Sequence, residues 1–205
     1  MTISDILEHW ATIYKPLSHK PDSDKLEDQR FFKIRFIELE NIFQRNSTVM
    51  GSPLMLCSFI TTGNLKGPKK AEVSHQVWLL AKVHDSAQTL GRFDGNRQEM
   101  VANELMGYCE DLVAWLLEVK RTGQDPITKR SFASEPQLMQ ELQAIDTDSI
   151  SWGLEAEIRQ GQWLVAGVDW HALKPLYNFA CGSNGKYRTD IVMLPSSKNT
   201  PNDQP

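Results

Sequence analysis

Histidines in or near strand-like segments are the residues with which acid–base chemistry could begin in this sequence. They are His75, His84 and His171. His84 precedes Asp85, and Asp169 lies two residues before His171, so a carboxylate could orient either histidine as a base. Adjacent residues of a strand point to opposite faces, however, so His84 and Asp85 cannot easily cooperate. An enzyme that uses His84 or His171 with Asp169 therefore ranks third among three functional hypotheses.

The cysteines do not have the spacing of a zinc site or the setting of a nucleophile. Cys57, Cys109 and Cys181 are an odd number of widely separated residues, which is typical of a reduced, intracellular protein. A nucleophilic thiol needs an electropositive and partly exposed setting, whereas Leu56 and Phe59 predict that Cys57 is buried. We expect the cysteines to be packing residues.

Two further patterns resemble functional sites only in part. The glycines of Gly182–Lys186 lack the preceding strand and following helix that would aim main-chain amides at a phosphate, so a turn is the better interpretation. Glu155 and Glu157 share one face of a strand whose other face is apolar, which is typical of a solvated surface. The sequence therefore predicts no catalytic residue, no cofactor-binding residue and no metal ligand.

Tryptophans near the C-terminal end suggest contact with another protein. Trp152, Trp163 and Trp170 fall within one predicted hairpin. If any of them lies outside the core, it would form the aromatic patch typical of a protein interface. The alternative, which we favour at this stage, is that all three belong to the core of a sheet.

The elements that would position these residues begin with a helix and a series of strands. Apolar residues from Ile3 to Tyr14 recur at helical spacing and predict an N-terminal helix. Phe32, Ile34 and Phe36 alternate with Lys33 and Arg35 and predict a strand with one buried face. The remaining predictions here are a short helix over 38–46, a central strand over 54–60, a hairpin loop marked by Gly63, Gly67 and Pro68, and a strand that ends at His84.

The most regular pattern in the sequence is a long amphipathic helix that begins near Asn96. Asn96 and Glu99 have the spacing of a helix start, and Gly123 follows the last turn as a stop. Between them, one apolar face repeats at intervals of three and four residues. That face consists of Val101, Leu105, Cys109, Leu112, Leu116 and Val119.

The C-terminal third is predicted to consist of strands. The segment from Leu138 to Ile145 is ambiguous between a strand and a short helix, and its neighbours favour a strand. Apolar and polar residues alternate from Ile150 to Ile158, which predicts a strand with one buried face. A turn over 159–162 leads into Trp163–Trp170 and completes a hairpin.

Length and composition predict one domain that binds neither nucleic acid nor a membrane, and the order of elements predicts the α+β class. The chain has 205 residues and a formal charge of -4, so it has no field that would hold nucleic acid, and Lys66, Lys69 and Lys70 read as a solvated loop. No apolar run reaches the ~20 residues that cross a bilayer. We therefore expect a protein of the cytoplasm or of a particle assembled there. It should have a domain over 1–195, a disordered tail over 196–205, and a mostly antiparallel sheet packed against one long helix and a shorter N-terminal helix.

The order of elements resembles that of the tail terminator and tail completion proteins of tailed phages. The resemblance covers residues 1 to 158 and lies in His9-Trp10-Ala11, Phe31–Ile34, Ser52–Leu56 and Ser151–Ile158. It implies a protein without an active site that forms a homo-oligomeric ring at a tail tube, for which an edge strand and an apolar patch are needed. The segment from Gly161 to Pro195 extends past the point where such a protein would end.

Two hypotheses thus precede the enzyme. The first is a non-enzymatic assembly protein of phage-tail type that binds copies of itself and tail-tube proteins. The second is a domain that binds a small ligand between the long helix and the sheet, in a pocket lined by Trp78 and Trp115.

Overall fold

A computed structural model describes residues 1–34, 49–58, 63–65, 70–83, 95–158 and 163–175 of this protein. In chain order, its elements are α1 (Ile3–Ile13), β1 (Phe31–Ile34), β2 (Leu54–Ser58), β3 (Gly63–Leu65), β4 (Lys70–Lys82), α2 (Gly95–Thr122), α3 (Pro136–Gln143), β5 (Ile145–Ile158) and β6 (Trp163–Pro175). The α+β class that the sequence predicts is confirmed.

The strands form a single mixed sheet in the order β1-β2-β4-β6-β5, and β3 pairs with β4 beside that path. Among the described strands, only β1 and β2 run parallel, and every other pair is antiparallel. The longest pairing joins β4 to β6 without interruption, from Lys70 opposite Pro175 to Lys82 opposite Trp163. Because β2 lies between β1 and β4, the predicted central strand is confirmed.

Helix α2 follows from its sequence pattern. Five residues of the predicted apolar face, Leu105, Cys109, Leu112, Leu116 and Val119, have almost no exposed surface. Lys120 and Arg121 lie in the last turn, and Gly123 ends the helix with a φ of 67°, a conformation that glycine adopts without strain. The predicted long helix is confirmed from its start to its stop.

Helix α3 corrects the strand predicted over Leu138–Ile145. Pro136 begins the helix at a position where proline suits the first turn. Leu138 and Leu142 are one helical turn apart and both are fully buried. Residues four positions apart share a face in a helix and also in a strand, so the spacing of the two leucines does not distinguish the two structures. Pro136, which suits the first turn of a helix, is the residue that does.

Both faces of the sheet are covered near its centre. The larger cluster packs α1, α2 and α3 on one face and includes Met55, Val77, Leu79 and Val168. The smaller cluster lies on the opposite face and includes Leu54, Leu56, Trp78, Leu80 and Trp163. The alternation along β2, where Leu54 and Leu56 face one cluster and Met55 and Cys57 the other, confirms a strand that is apolar on both sides.

Strand β1 is a strand, as predicted, but it has buried residues on both faces and not on one. Phe32 and Ile34 pack on the smaller cluster, as the alternation predicts, but Phe31 is buried as well, in the larger cluster. Lys33 reaches Asp5 and Glu8 of α1, with Nζ–oxygen distances of 2.9 and 3.2 Å. Helix α1 therefore covers the second face of this strand.

Several predictions lie outside the described residues. They concern the helix over 38–46, the loop around Gly67, His84, Cys181, the glycines of 182–186, the end of the domain at 195 and the tail over 196–205. Gly63 was predicted in a loop but begins β3. Within the described part, residues 1–175 form one compact unit.

Candidate functional site

Strand β5 is the last strand of the sheet, and it pairs with β6 alone among the described strands. Hydrogen bonds from β6 show which of its main-chain groups point toward β5. The His171 amide donates to Ser149 Oγ at 2.8 Å, and the Leu173 amide donates to the Ala144 carbonyl at 2.9 Å. Odd-numbered residues of β6 therefore direct their amides and carbonyls toward β5, and even-numbered residues direct theirs toward β4.

This alternation fixes which residues of β5 face outward. Ser151 lies opposite Asp169 and Gly153 opposite Gly167, so these two residues exchange hydrogen bonds with β6. The amides and carbonyls of Trp152 and Leu154 consequently point away from the sheet. We call Ser151–Leu154 the β5 edge.

The side chains of the β5 edge are exposed and apolar. Trp152 is 42% exposed and Leu154 is 51% exposed, although their partners on β6, Val168 and Ala166, belong to the larger core cluster. The predicted strand is confirmed, but its predicted buried face is wrong at these two positions. Alternation shows which side chains share a face, whereas coverage of that face depends on the neighbouring elements.

Irregular pairing bounds the β5 edge on both sides. The register with β6 shifts between Asp146 and Ser151 and again between Leu154 and Ala156. Bulges of this kind bend a strand and limit how far another strand can pair with it. The regular stretch that a partner could meet is therefore four residues long.

Glu155 forms contacts that the prediction of a solvated acidic face does not include. Its Oε2 accepts a hydrogen bond from Trp78 Nε1 at 2.9 Å, and its Oε1 accepts one from Gln76 Nε2 at 3.2 Å. The side chain crosses Gly167, where an added Cβ would lie 2.1 Å from Oε1. Partial burial, together with the charge of Glu155, raises the pKa of Asp169 beside it.

The geometry around His171 does not form a catalytic relay. Ser74 Oγ lies 3.1 Å from His171 Nδ1, and Glu72 Oε1 lies 3.9 Å from the same nitrogen. In a serine–histidine–acid relay the acid and the nucleophile contact opposite ring nitrogens, so that one orients the ring while the other loses its proton. Here both oxygens lie on the side of the same nitrogen, and Glu72 is beyond hydrogen-bond distance from it.

The predicted pocket between Trp78 and Trp115 is not formed by these residues, because they lie on opposite faces of the sheet. Trp78 belongs to the smaller cluster and Trp115, on α2, to the larger one. A different pocket of about 220 Å³ lies at the N-terminus of α1. It is lined by Thr2, Ile3, Ser4, Leu7, Cys57, Ser58, His75, Gln76, Glu141 and Trp170.

Polar groups from several elements converge on this α1 pocket. The Ile3 amide donates to Glu141 Oε2 at 3.0 Å, which places a carboxylate at the positive end of α1. The rings of His75 and Trp170 stack with centroids 5.5 Å apart and planes inclined by 10°. Trp170 is 1% exposed, and its indole N–H has no hydrogen-bond partner in the described part of the chain.

A buried ionic cluster around Asp125 was not predicted. The Asp125 side chain is fully buried, and its Oδ2 lies 2.7 Å from His9 Nε2. It also accepts hydrogen bonds from Trp115 Nε1, the Ile127 amide and Thr128 Oγ1. Burial opposes its ionisation, but these hydrogen bonds outweigh burial and lower the pKa of Asp125 to about 2.

The two cysteines in the described part of the chain are packing residues, as predicted. Burial raises the pKa of both Cys57 and Cys109 to about 12, so both thiols are protonated at neutral pH. Among the described residues, no group of three or more His, Cys, Asp or Glu side chains could hold a metal ion.

Comparisons with protein-family models, with curated proteins and with solved structures find no match to this chain. Of the helices in the described ranges, none is long and apolar enough to cross a membrane.

Proposed function

We propose that this chain is a non-enzymatic assembly protein that forms a homo-oligomer through the β5 edge. The observation that carries the proposal is the coincidence, at Trp152 and Leu154, of outward-facing main-chain groups with exposed apolar side chains. An edge strand of this kind can add a strand from another subunit, because the main chain supplies hydrogen bonds and the apolar side chains supply buried area.

The resemblance in element order supports phage-tail assembly as the setting, with tail-tube proteins as further partners. The chemistry of the nucleophilic side chains is consistent with an assembly role. Both described thiols are protonated and buried, and Ser74 and Glu72 lie on the side of the same ring nitrogen of His171. These are arrangements that stabilise a fold without activating a nucleophile.

The size of the β5 edge sets the strength of association that we expect. A regular stretch of four residues covers far less than the ~1,200 Å² of a standard protein interface. Pairing through this edge alone should therefore be weak and should increase with concentration. Binding to a scaffold that presents several copies would strengthen it through avidity.

Light scattering coupled to size exclusion, from micromolar to millimolar protein, tests the proposal. The wild-type mass should rise with concentration, and Trp152→Ser should abolish the rise. Ile127→Ser is the matched control, because Ile127 is 60% exposed and lies outside β5. A strictly monomeric wild type at millimolar concentration, or equal effects of the two substitutions, would contradict the proposal.

A second candidate function is small-ligand binding, for which the α1 pocket provides a location. The pocket combines a helix N-terminus, stacked aromatic rings and Glu141, so it suits a small polar molecule that carries both hydrogen-bond donors and acceptors. A thermal-shift screen with amides, amino acids and short peptides tests this candidate, because binding raises the melting temperature by mass action. No shift at millimolar ligand would exclude these classes.

A further inference from the structure

The β5 edge restricts how two copies of the chain could pair. In a symmetric antiparallel pair of identical strands, the two-fold axis is normal to the sheet and passes between a residue and its own copy. Residues equally distant from that axis then lie opposite each other and share a face. Trp152 and Leu154, whose amides and carbonyls point outward on one copy, therefore lie opposite residues of the other copy whose amides and carbonyls also point outward.

We infer that two copies pair β5 to β5 with Gly153 on the two-fold axis, so that Trp152 of each copy lies opposite Leu154 of the other. The inference rests on the proposed function and specifies its partner and register. In this register Trp152 and Leu154 form two cross-strand pairs, one on each side of the axis. The pair thus forms four main-chain hydrogen bonds without involving either bulge.

Three other symmetric registers use the edge less well. An axis at Leu154 places Trp152 opposite Ala156, across the second bulge. An axis at Trp152 places Leu154 opposite Ile150, which lies within the irregular stretch between Asp146 and Ser151. An axis at Ser151 places Leu154 opposite Asp148 and leaves an exposed apolar side chain beside a carboxylate. Only the axis at Gly153 pairs the two exposed apolar residues with each other.

The side chains on both faces fit the inferred register. On the face of α2, each Trp152 would cover a Leu154, and such aromatic–aliphatic pairs stabilise sheets. On the opposite face Gly153 has no side chain, and a Cβ built there would have no atom within 4 Å. Glu155 would lie opposite Ser151, so the two Glu155 residues would be about 13 Å apart along the strands, beyond the screening length of about 8 Å at physiological salt.

This pairing closes at two copies, because a two-fold interface uses the same surface on both partners. It would join the two sheets into one continuous sheet. A ring of higher order would then be built from these dimers through additional surfaces.

Disulfide trapping tests the register. In a background that carries Cys181→Ser, single cysteines replace Ser151 or Gly153, so that Trp152 and Leu154 stay in place. With the axis at Gly153, the Cα atoms of the two Gly153 residues are about 4.5 Å apart, within disulfide range. The two Ser151 residues would be about 14 Å apart, and Ser151 of one copy would be about 8 Å from Gly153 of the other, too far for a bridge. Under mild oxidation, Gly153→Cys should cross-link at least tenfold faster than Ser151→Cys or a mixture of the two variants. With the axis at Trp152, the mixture would cross-link fastest.

Charge exchange provides a second test that does not depend on a cysteine. Trp152→Arg and Leu154→Glu should each abolish self-association, and the double variant should restore it, because each Arg would face a Glu. With the axis at Trp152, the double variant would instead place Arg opposite Arg and remain monomeric. Circular dichroism on every variant verifies that the fold is retained.

The outcomes separate the register from the proposed function. If the wild type dimerises but Ser151→Cys or the mixture of variants cross-links fastest, or no variant cross-links, the register is overturned and the assembly role is left intact. A wild type that stays monomeric, with no cross-link at any position, overturns both.

Discussion

Among the acidic residues that the structure describes, Asp125 has the most deeply buried carboxylate, so its charge should be costly to remove. It receives hydrogen bonds from Trp115 on α2 and from its own loop, and it lies 2.7 Å from His9 on α1. Asp125→Asn keeps the shape of the side chain but replaces an acceptor that can hold all of these donors with a neutral amide. The substitution removes the charge together with one acceptor oxygen, and the pH dependence of its effect isolates the contribution of the charge.

The magnitude follows from the lowered pKa. The difference between the ordinary value of 3.8 and about 2 corresponds to about 2.4 kcal/mol of stability that the ionised form contributes. Because the folded-state pKa is depressed, this contribution is complete above pH ~4 and is lost as the pH falls toward ~2. Asp125→Asn should thus cost about 2–3 kcal/mol at pH 7, and Asp125→Ala about 3–5 kcal/mol.

Urea unfolding followed by tryptophan fluorescence, at several values between pH 2 and 7, measures this effect. The difference in unfolding free energy between wild type and Asp125→Asn should shrink as the pH falls below 4. Asp148→Asn is the control, because Asp148 is an exposed acid and its removal should change stability by less than about 0.5 kcal/mol. A difference that stays constant between pH 7 and 2 would refute the reasoning, since it would not depend on ionisation.

Two further predictions concern the contact between β5 and β6 and the two buried thiols. Gly167→Ala should destabilise the fold by about 1–2 kcal/mol in a thermal melt, because the added Cβ would occupy the place of the Glu155 side chain, which accepts the hydrogen bond of the Trp78 indole. Gly153→Ala is the control and should be nearly neutral in the same measurement. Cys57 and Cys109 should react with iodoacetamide at least a hundredfold more slowly in the native protein than in urea, and mass spectrometry of peptides would measure this; equal rates would contradict their burial.

The sequence was sufficient where local pattern and burial coincide. Helix α2 has a start signal, a continuous apolar face and a glycine stop, and all of these act within a few residues. In strand β2 the four residues from Leu54 to Cys57 are all apolar and all buried. Such elements were predictable because no distant part of the chain needs to be known.

Prediction was wrong, or no prediction was made, where a distant element decides the outcome. Trp152 and Leu154 alternate like buried residues, and only the position of β5 at the end of the sheet exposes them. Asp125 lies in a loop, where acids are usually solvated, and its partners His9 and Trp115 come from two helices. No local signal brings those helices together around a carboxylate, so this cluster could not be read from the sequence.

The uninterrupted pairing of β4 with β6 has a consequence for biosynthesis. The paired residues are more than eighty positions apart in the sequence, so β4 is synthesised long before its principal neighbour. Formation of such distant pairs is slow. Until β6 is available, β4 pairs, among the described strands, only with β2 and β3 along one edge, and its other edge of thirteen residues is open to aggregation. A nascent chain from which residues 163–175 have not yet emerged should therefore need a chaperone, whereas the emergence of β6 lets the chain complete its own sheet.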